Sequence, residues 1–166
     1  MSTARMLREL LARPGIIRSL APHDVFTAKV MERAGLPLLF LGGFGASASS
    51  FGLPDLGLLG LAEMSEAARR MTAAVEVPVI VDGDTGYGAI PNVERTVREF
   101  ERAGATMIQL EDQTFPKRCG HLDGKALIPL DEAVQKIRAC ADARIDPDFV
   151  INARTDALAV GGIDEV

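Results

Sequence analysis

The sequence predicts an α/β fold built on a parallel β-sheet. Short runs of consecutive apolar residues alternate with stretches of helical periodicity, and each run is followed directly by glycine or charged residues. Strands buried on both faces read as near-continuous apolar runs, and a strand, helix, strand order makes successive strands parallel. The four expected strands lie at residues 38–41, 79–81, 107–110 and 149–152.

Helical periodicity fills the segments between these strands. Val93, Val97 and Phe100 recur at helical spacing. Asn92 before them is expected to cap the helix, and Gly104 is expected to end it. His23 also precedes a helical pattern and is read as a capping residue. The other expected helices cover residues 1–14 and 63–74 and a segment that begins at Asp131.

Composition bounds the classes of partner. The 166 residues are 48% hydrophobic and 25% charged, as in a globular domain with one core. The net charge is −5 and the 18 Lys and Arg residues are scattered, so we expect no nucleic-acid partner. The sequence has no apolar run of about 20 residues and no signal-peptide pattern. We therefore expect no membrane contact and a cytoplasmic location.

The two cysteines, Cys119 and Cys140, have neither zinc-site spacing nor evidence for a disulfide. Cys140 lies in a helical pattern and is expected only to pack. Cys119 lies in the polar stretch Lys117-Arg118-Cys119-Gly120-His121 after the third expected strand. A thiol flanked by cations should have a lowered pKa, which suits a proton donor or nucleophile. The alternative is a surface loop with an incidental cysteine.

Acidic side chains follow two neighbouring expected strands. Asp82 and Asp84 are two residues apart on an extended segment, so their carboxylates point the same way. Carboxylate oxygens suit Mg²⁺, and Glu111 at the end of the next strand can reach the same ion directly or through water. A plain Asp-Gly turn is the alternative. The carboxyl ends of parallel strands form the active-site edge both in barrels and in open doubly wound sheets.

Glycines and an arginine complete the candidate site. Residues 43–48 match a GxGxxA pattern, but we expect no helix directly on that turn and find no acid at the dinucleotide-binding position. We therefore expect Gly42, Gly43 and Phe44 to form a loop whose backbone amides receive a substrate carboxylate. Arg154, after the fourth strand, is expected either to clamp a carboxylate or to form a structural ion pair with Asp156.

Five ordered motifs resemble the isocitrate lyase and phosphoenolpyruvate mutase superfamily. They are Gly-Leu-Pro-Asp-Leu-Gly at 52–57, Val-Asp-Gly-Asp-Thr-Gly-Tyr-Gly at 81–88, Glu-Asp-Gln at 111–113, Lys-Arg-Cys-Gly-His at 117–121 and Ala-Arg-Thr-Asp-Ala at 153–157. The resemblance implies a (βα)₈ TIM barrel. It also implies an oxo-acid lyase that cleaves a small 2-hydroxy di- or tricarboxylate by retro-aldol chemistry.

The resemblance assigns roles to particular residues. Asp82 would be the main ligand of Mg²⁺ or Mn²⁺, with Asp84, Asp55 and Glu111 around the ion. Cys119 would protonate the departing enolate. The residues expected to act beside Cys119 or to bind substrate are Lys117, Arg118, His121, Asp55 and Arg154.

The absence of large insertions favours the short branch, typified by methylisocitrate lyase and dimethylmalate lyase. Leu41 stands where the lyases often have serine. Carboxyphosphonoenolpyruvate phosphonomutase, whose relatives keep the cysteine loop, is the alternative.

Length sets a further expectation. A closed (βα)₈ barrel takes about 250 residues, whereas this chain ends soon after its fourth expected strand. We therefore expect residues 1–166 to be the N-terminal half of one barrel domain, with about the first four βα units. Such a half-barrel is expected to be inactive alone and to self-associate through its open edges. The full-length parent is expected to be a homo-oligomer, a tetramer.

Overall fold

A computed structural model describes residues 2–166, which form a sheet of five parallel strands flanked by helices. The strands are Ser19–Leu20 (β1), Leu38–Leu41 (β2), Val79–Asp82 (β3), Met107–Glu111 (β4) and Val150–Arg154 (β5). The α-helices are Thr3–Leu11 (α1), Val25–Arg33 (α2), Gly43–Ala46 (α3), Leu61–Thr72 (α4), Ile90–Arg102 (α5), Leu130–Ala143 (α6) and Ala157–Val160 (α7). A π-helix at Ser47–Phe51 follows α3, and a 3₁₀ turn at Ile163–Glu165 follows α7.

The order of the strands identifies the type of sheet. Each strand pairs in parallel with its neighbours in sequence, so the sheet order is β1-β2-β3-β4-β5. In a doubly wound sheet the order in which successive strands are added reverses at a switch point. In a barrel each new strand is added beside the previous one. The predicted α/β fold of the TIM-barrel type is confirmed.

Alternation along the strands separates two faces of the sheet. Leu39, Val81 and Ile108 are fully buried in the main core, together with Phe100 of α5. The opposite face carries Leu38 and Met107, against which Leu7 of α1 packs. Helix α1 therefore covers one end of this inner face. The other end, where the strands terminate, carries Asp82, Glu111 and Arg154.

The expectation of four strands was wrong by one. Strand β1 has only two residues, and Leu20 is more than half exposed, so it lacks the apolar run that marks a buried strand. The helix attributed to an Asn92 cap begins earlier, at Ile90, with Ala89 as its N-cap residue and Pro91 in its first turn. Proline is favoured there because its missing N–H has no partner in the first turn of a helix.

Two further expectations about helix starts were wrong. The residue that caps α2 is Asp24 rather than His23, since Asp24 Oδ1 accepts a hydrogen bond of 2.7 Å from Thr27 N. The segment after β2 is helical from Gly43, whereas a loop was expected. The dinucleotide fold nevertheless remains excluded by the strand order.

Strands β1 and β5 each pair on one side only within residues 2–166. The part of the chain that the structure describes has no helix both long and apolar enough to cross a bilayer.

Candidate functional site

Three buried carboxylates meet at the carboxyl edge of the sheet. Asp82 ends β3, Asp84 follows it, and Glu111 ends β4. We call these three residues the acidic cluster. A model Cβ placed on Gly43 would lie 3.4 to 3.6 Å from one oxygen each of Asp55, Asp84 and Asp82. The missing side chain of Gly43 therefore leaves room beside these three carboxylates, two of which lie at the end of β3 and one of which lies in the segment before α4.

The backbone after β3 holds the cluster in place. Gly83 N donates to Gln109 O at 2.8 Å, and a Cβ on Gly83 would lie 2.7 Å from Ile108. Only glycine fits this close approach. Asp84 then adopts a left-handed backbone conformation with φ of 47°, and its N–H donates to Asp82 Oδ1 at 3.1 Å. Aspartate is one of the few residues with a side chain that tolerates this region.

Burial and mutual repulsion raise the pKa of two members of the cluster. The pKa of Asp84 rises to about 6, first because the side chain is buried and then because Asp82 is nearby. The pKa of Glu111 rises to about 7, again mainly through burial, although the Arg154 guanidinium opposes the shift. Both shifts indicate a site that favours additional positive charge.

Lys117 supplies part of that charge. Its Nζ lies 2.5 Å from Asp55 Oδ1 and 2.7 Å from Asp84 Oδ1, and all three side chains are buried. Burial alone would lower the pKa of Lys117, but Asp84 and Asp55 together raise it above its usual value. Lys117 was expected to lie beside the Cys119 thiol, and the structure instead directs its ammonium group into the carboxylates.

The same residues supply the donor atoms that a divalent cation would need. No three His, Cys, Asp or Glu side chains in residues 2–166 are already arranged around a metal position, and Lys117 lies between two of the carboxylates. Asp84 Oδ1 is buried with Lys117 Nζ as its partner at 2.7 Å, and Gly43 leaves space beside it. Hard oxygen donors around such a space are the chemistry that Mg²⁺ and Mn²⁺ prefer. The donor set therefore fits a metal that would replace the lysine charge.

The segment that carries Cys119 is an excursion from the sheet. Residues 114–126, which we call the Cys119 loop, lie between Gln113, two residues after the end of β4, and Leu127. Gln113 and Leu127 form an isolated antiparallel bridge. Cys119 is half-buried and His121 is exposed. The Arg118 guanidinium donates to Asp123 O at 3.2 Å. Like the Lys117 ammonium, it is engaged with a group other than the thiol.

Residues 42–44 contact the acidic cluster through the backbone of Gly43. Gly43 N donates to Asp82 Oδ2 at 3.2 Å, so its amide is engaged with a carboxylate of the protein. Phe44 is 64% exposed, whereas Gly43 is buried. The expected role of Gly42, Gly43 and Phe44 in binding a substrate carboxylate stays a prediction.

Arg154 lies beside the acidic cluster at the end of β5. Its Nη1 lies 3.2 Å from Glu111 Oε2, and its Nη2 donates to Asp156 Oδ2 at 3.0 Å. The structural ion pair with Asp156, one of the two expected alternatives, is therefore present. The guanidinium remains partly exposed, so it still presents a cationic face at the site.

Two residues with buried side chains belong to the site but were not predicted from the sequence. Gln113 is fully buried and hydrogen-bonded to Glu111, Asp156 and the backbone of Arg118. Lys125 pairs with Asp156 at 3.2 Å. The position of Gln113 two residues after Glu111, which places the two on the same side of an extended chain, was the available signal.

The sequence model of the phosphoenolpyruvate phosphomutase family matches residues 7–166. The chain belongs to this family. The resemblance expected from the five motifs is therefore confirmed, and a solved family relative, 2,3-dimethylmalate lyase, is itself described as a member of the PEP mutase/isocitrate lyase superfamily.

Curated relatives match almost the whole chain. The 2,3-dimethylmalate lyase of Eubacterium barkeri is 49% identical over 165 residues, which is 99% of this chain and 57% of that protein. The 2-methylisocitrate lyase of Aeropyrum pernix is 48% identical over 160 residues, 96% of this chain and 51% of that protein. The chain thus spans about half the length of these relatives.

Solved structures agree with the sequence relatives. Oxaloacetate acetylhydrolase in complex with 3,3-difluorooxalacetate superposes with a TM-score of 0.95 at 38% identity, covering 99% of this chain and 57% of that one. Phosphonopyruvate hydrolase in complex with oxalate and Mg²⁺ superposes with a TM-score of 0.89 at 36% identity, covering 99% and 56%. These neighbours hold small carboxylates, and one of them holds Mg²⁺.

The Lys117 arrangement generates a stability prediction. Lys117→Met removes the cation but leaves Asp55 and Asp84 buried beside each other, so in metal-free buffer at pH 8 the free energy of unfolding should fall by about 3–5 kcal/mol. The loss should shrink below pH 6, because Asp84 with its raised pKa is then protonated and no longer needs a cation. Urea unfolding of the parent and the variant, at pH 8 and below pH 6, measures this loss of unfolding free energy.

Lys29→Met is the matched control, since Lys29 is exposed and its removal should change the free energy of unfolding by no more than about 0.5 kcal/mol. A Lys117→Met variant as stable as this control at pH 8 would contradict the proposed electrostatic role.

Proposed function

We propose that the protein carrying this chain is a Mg²⁺-dependent carbon–carbon lyase that cleaves a small 2-hydroxy di- or tricarboxylate. The observation that supports this most strongly is the burial of Asp82, Asp84 and Glu111 within range of one another's charges at the carboxyl edge of the sheet, where Lys117 of the Cys119 loop contacts Asp84. The leading substrate is 2-methylisocitrate, cleaved to pyruvate and succinate, and the next is 2,3-dimethylmalate. Relatives bearing both names match nearly all of the chain.

Asp82, Asp84 and Glu111 would hold Mg²⁺ or Mn²⁺, with Asp55 nearby. When bound, such an ion stabilises negative charge on the substrate oxygens. The raised pKa values of Asp84 and Glu111 and the space beside Gly43 support a cation here, since it would relieve the repulsion between the carboxylates. A structural neighbour that holds Mg²⁺ with oxalate supports the same choice.

The remaining residues would bind substrate and move protons. The partly exposed guanidinium of Arg154 would bind a substrate carboxylate, as would the backbone around Gly42, Gly43 and Phe44. The substrate 2-hydroxyl would lose its proton, and the C2–C3 bond would break to give a 2-oxo acid. The other product would leave as an enolate that takes its proton from the Cys119 thiol.

The cations of the loop would support this proton transfer. Arg118 directly precedes Cys119 and His121 follows it by two residues, while Lys117 is held at the acidic cluster. Lys117 would thus act from the carboxylate side of the site, where it neutralises charge. The ligands of the structural neighbours support a small carboxylate as the substrate class. We also propose that the full-length protein is a homo-oligomer, a tetramer.

A phosphonomutase is the second candidate. The matching family model is described as phosphoenolpyruvate phosphomutase, and one structural neighbour acts on phosphonopyruvate by name. Carboxyphosphonoenolpyruvate is the substrate that this alternative favours, because the Cys119 loop is compatible with it. The acidic cluster would serve both reactions, so the carboxylates alone do not separate them.

A substrate panel separates the two reactions. The purified protein, at the full length that its gene encodes, is assayed with 2-methylisocitrate, 2,3-dimethylmalate, isocitrate, oxaloacetate, phosphonopyruvate and carboxyphosphonoenolpyruvate. Release of 2-oxo acid reports cleavage of the first four substrates, and phosphorus NMR reports conversion of the last two. We expect turnover of one of the first two substrates and its loss in excess chelator. Turnover of the phosphorus-containing substrates alone would reject the lyase.

Replacement of the proposed proton donor gives an independent check. Cys119→Ser should lower kcat by at least about 100-fold, the size typical of a lost general acid, while leaving Mg²⁺ and product binding intact. Cys140→Ala is the control, because Cys140 is fully buried in the core, away from the Cys119 loop. It should lower stability but retain activity. Unchanged cleavage in the Cys119→Ser protein would remove Cys119 from the mechanism.

A further inference from the structure

Gln113 lies where the Cys119 loop leaves the sheet. The two ends of the loop are joined beside it, since Thr114 N donates to Ala126 O at 2.8 Å and Ile128 N donates to Asp112 O at 2.9 Å. These bonds tie only the base of the loop. They leave the position of its middle, which carries Cys119, to other contacts.

The side chain of Gln113 makes such a contact with both backbone groups of Arg118. Its Oε1 accepts from Arg118 N at 3.0 Å, and its Nε2 donates to Arg118 O at 3.0 Å. The side-chain amide of Gln113 thereby pairs with the backbone of Arg118 as the peptide group of a neighbouring strand would. Arg118 immediately precedes Cys119, so this contact holds the backbone directly before the cysteine, next to Lys117 with its buried ion pairs.

The same amide reaches the acidic side of the site. Nε2 also lies 3.0 Å from Glu111 Oε1 and 3.2 Å from Asp156 Oδ2. The reverse orientation would place an amide oxygen against these oxygens and Arg118 O, so the network fixes the orientation of the group. A side chain with one donor end and one acceptor end is required, and neither glutamate nor methionine provides both.

We propose that Gln113 is a positioning residue that holds the Cys119 loop against the acidic cluster. It joins the end of β4, the residue before Cys119 and Asp156 after β5 through a single fully buried amide. Lys125 reinforces this arrangement, since its Nζ donates to Gly120 O at 2.6 Å and pairs with Asp156. The consequence for catalysis rests on the proposed lyase function, whereas the consequence for loop position does not.

Thiol accessibility measures the loop position without requiring activity. The full-length protein is treated with iodoacetamide, and peptide mass spectrometry follows the two cysteines separately. Gln113→Met removes the donor and the acceptor, and Gln113→Glu keeps only the acceptor. In both variants, alkylation of Cys119 should accelerate by about tenfold or more, the effect expected from loss of buried hydrogen bonds. Alkylation of Cys140, fully buried in the core, should stay as slow as in the parent.

Gln109→Met is the matched control. Gln109 also lies on β4, but its side chain accepts from Asn152 Nδ2 at 3.1 Å and makes no contact with the loop. Its loss should leave the alkylation rate of Cys119 unchanged. Unchanged Cys119 alkylation in both Gln113 variants would overturn the proposal. Faster alkylation of both cysteines would also overturn it, because Gln113 would then support the core rather than the loop.

Kinetics add a second readout. In the protein with lyase activity, Gln113→Glu should lower kcat by about tenfold to 100-fold with little change in KM, because the misplaced loop affects proton transfer more than substrate binding. A rise in KM of about tenfold to 100-fold with kcat unchanged would contradict the positioning role. If the parent protein turns over no substrate in the panel, the proposed function fails, while the alkylation rates still decide the position of the loop.

Discussion

Burial of like charges at one edge of the sheet is the constraint on which the site depends. Asp82, Asp84 and Glu111 lie close together and largely out of water, an arrangement that is costly unless positive charge or hydrogen-bond donors compensate it. The compensating groups come from separate elements: the Lys117 ammonium from the Cys119 loop, the Arg154 guanidinium from β5 and the Gly43 amide from α3. The carboxylates therefore draw the surrounding elements into a defined arrangement.

This electrostatic requirement connects the fold to the chemistry. Consecutive parallel strands bring their carboxyl ends to one edge, which is why residues distant in sequence meet there. The close approach at Gly83 and the left-handed backbone of Asp84 then turn two carboxylates into the same space. A site with an excess of buried negative charge is suited to a divalent cation, and Lys117 shows that the site already attracts a cation from its own chain.

Much of this arrangement could be predicted from sequence, because apolar runs and strand-end polar residues are local signals. They located β2 to β5 and the members of the acidic cluster. Strand β1 was missed because Ser19–Leu20 is too short to form an apolar run, and α3 was missed because its glycines favour a loop. Sequence adjacency also placed Lys117 beside the Cys119 thiol, whereas the buried carboxylates attract it more strongly. The contacts of Gln113 depend on the folded path of the loop, which local patterns do not encode.

The most direct test of the account is a calorimetric titration of Mg²⁺ into the full-length protein and two variants at pH 8. Asp82→Asn should weaken binding by more than the ~10–100-fold typical of residues that only support metal ligands. Asp131→Asn, which removes the same charge from an exposed position on α6, should bind as the parent does. Equal Mg²⁺ affinity in the parent and Asp82→Asn would show that the acidic cluster does not hold the metal, and the proposed metal-dependent lyase mechanism would be wrong.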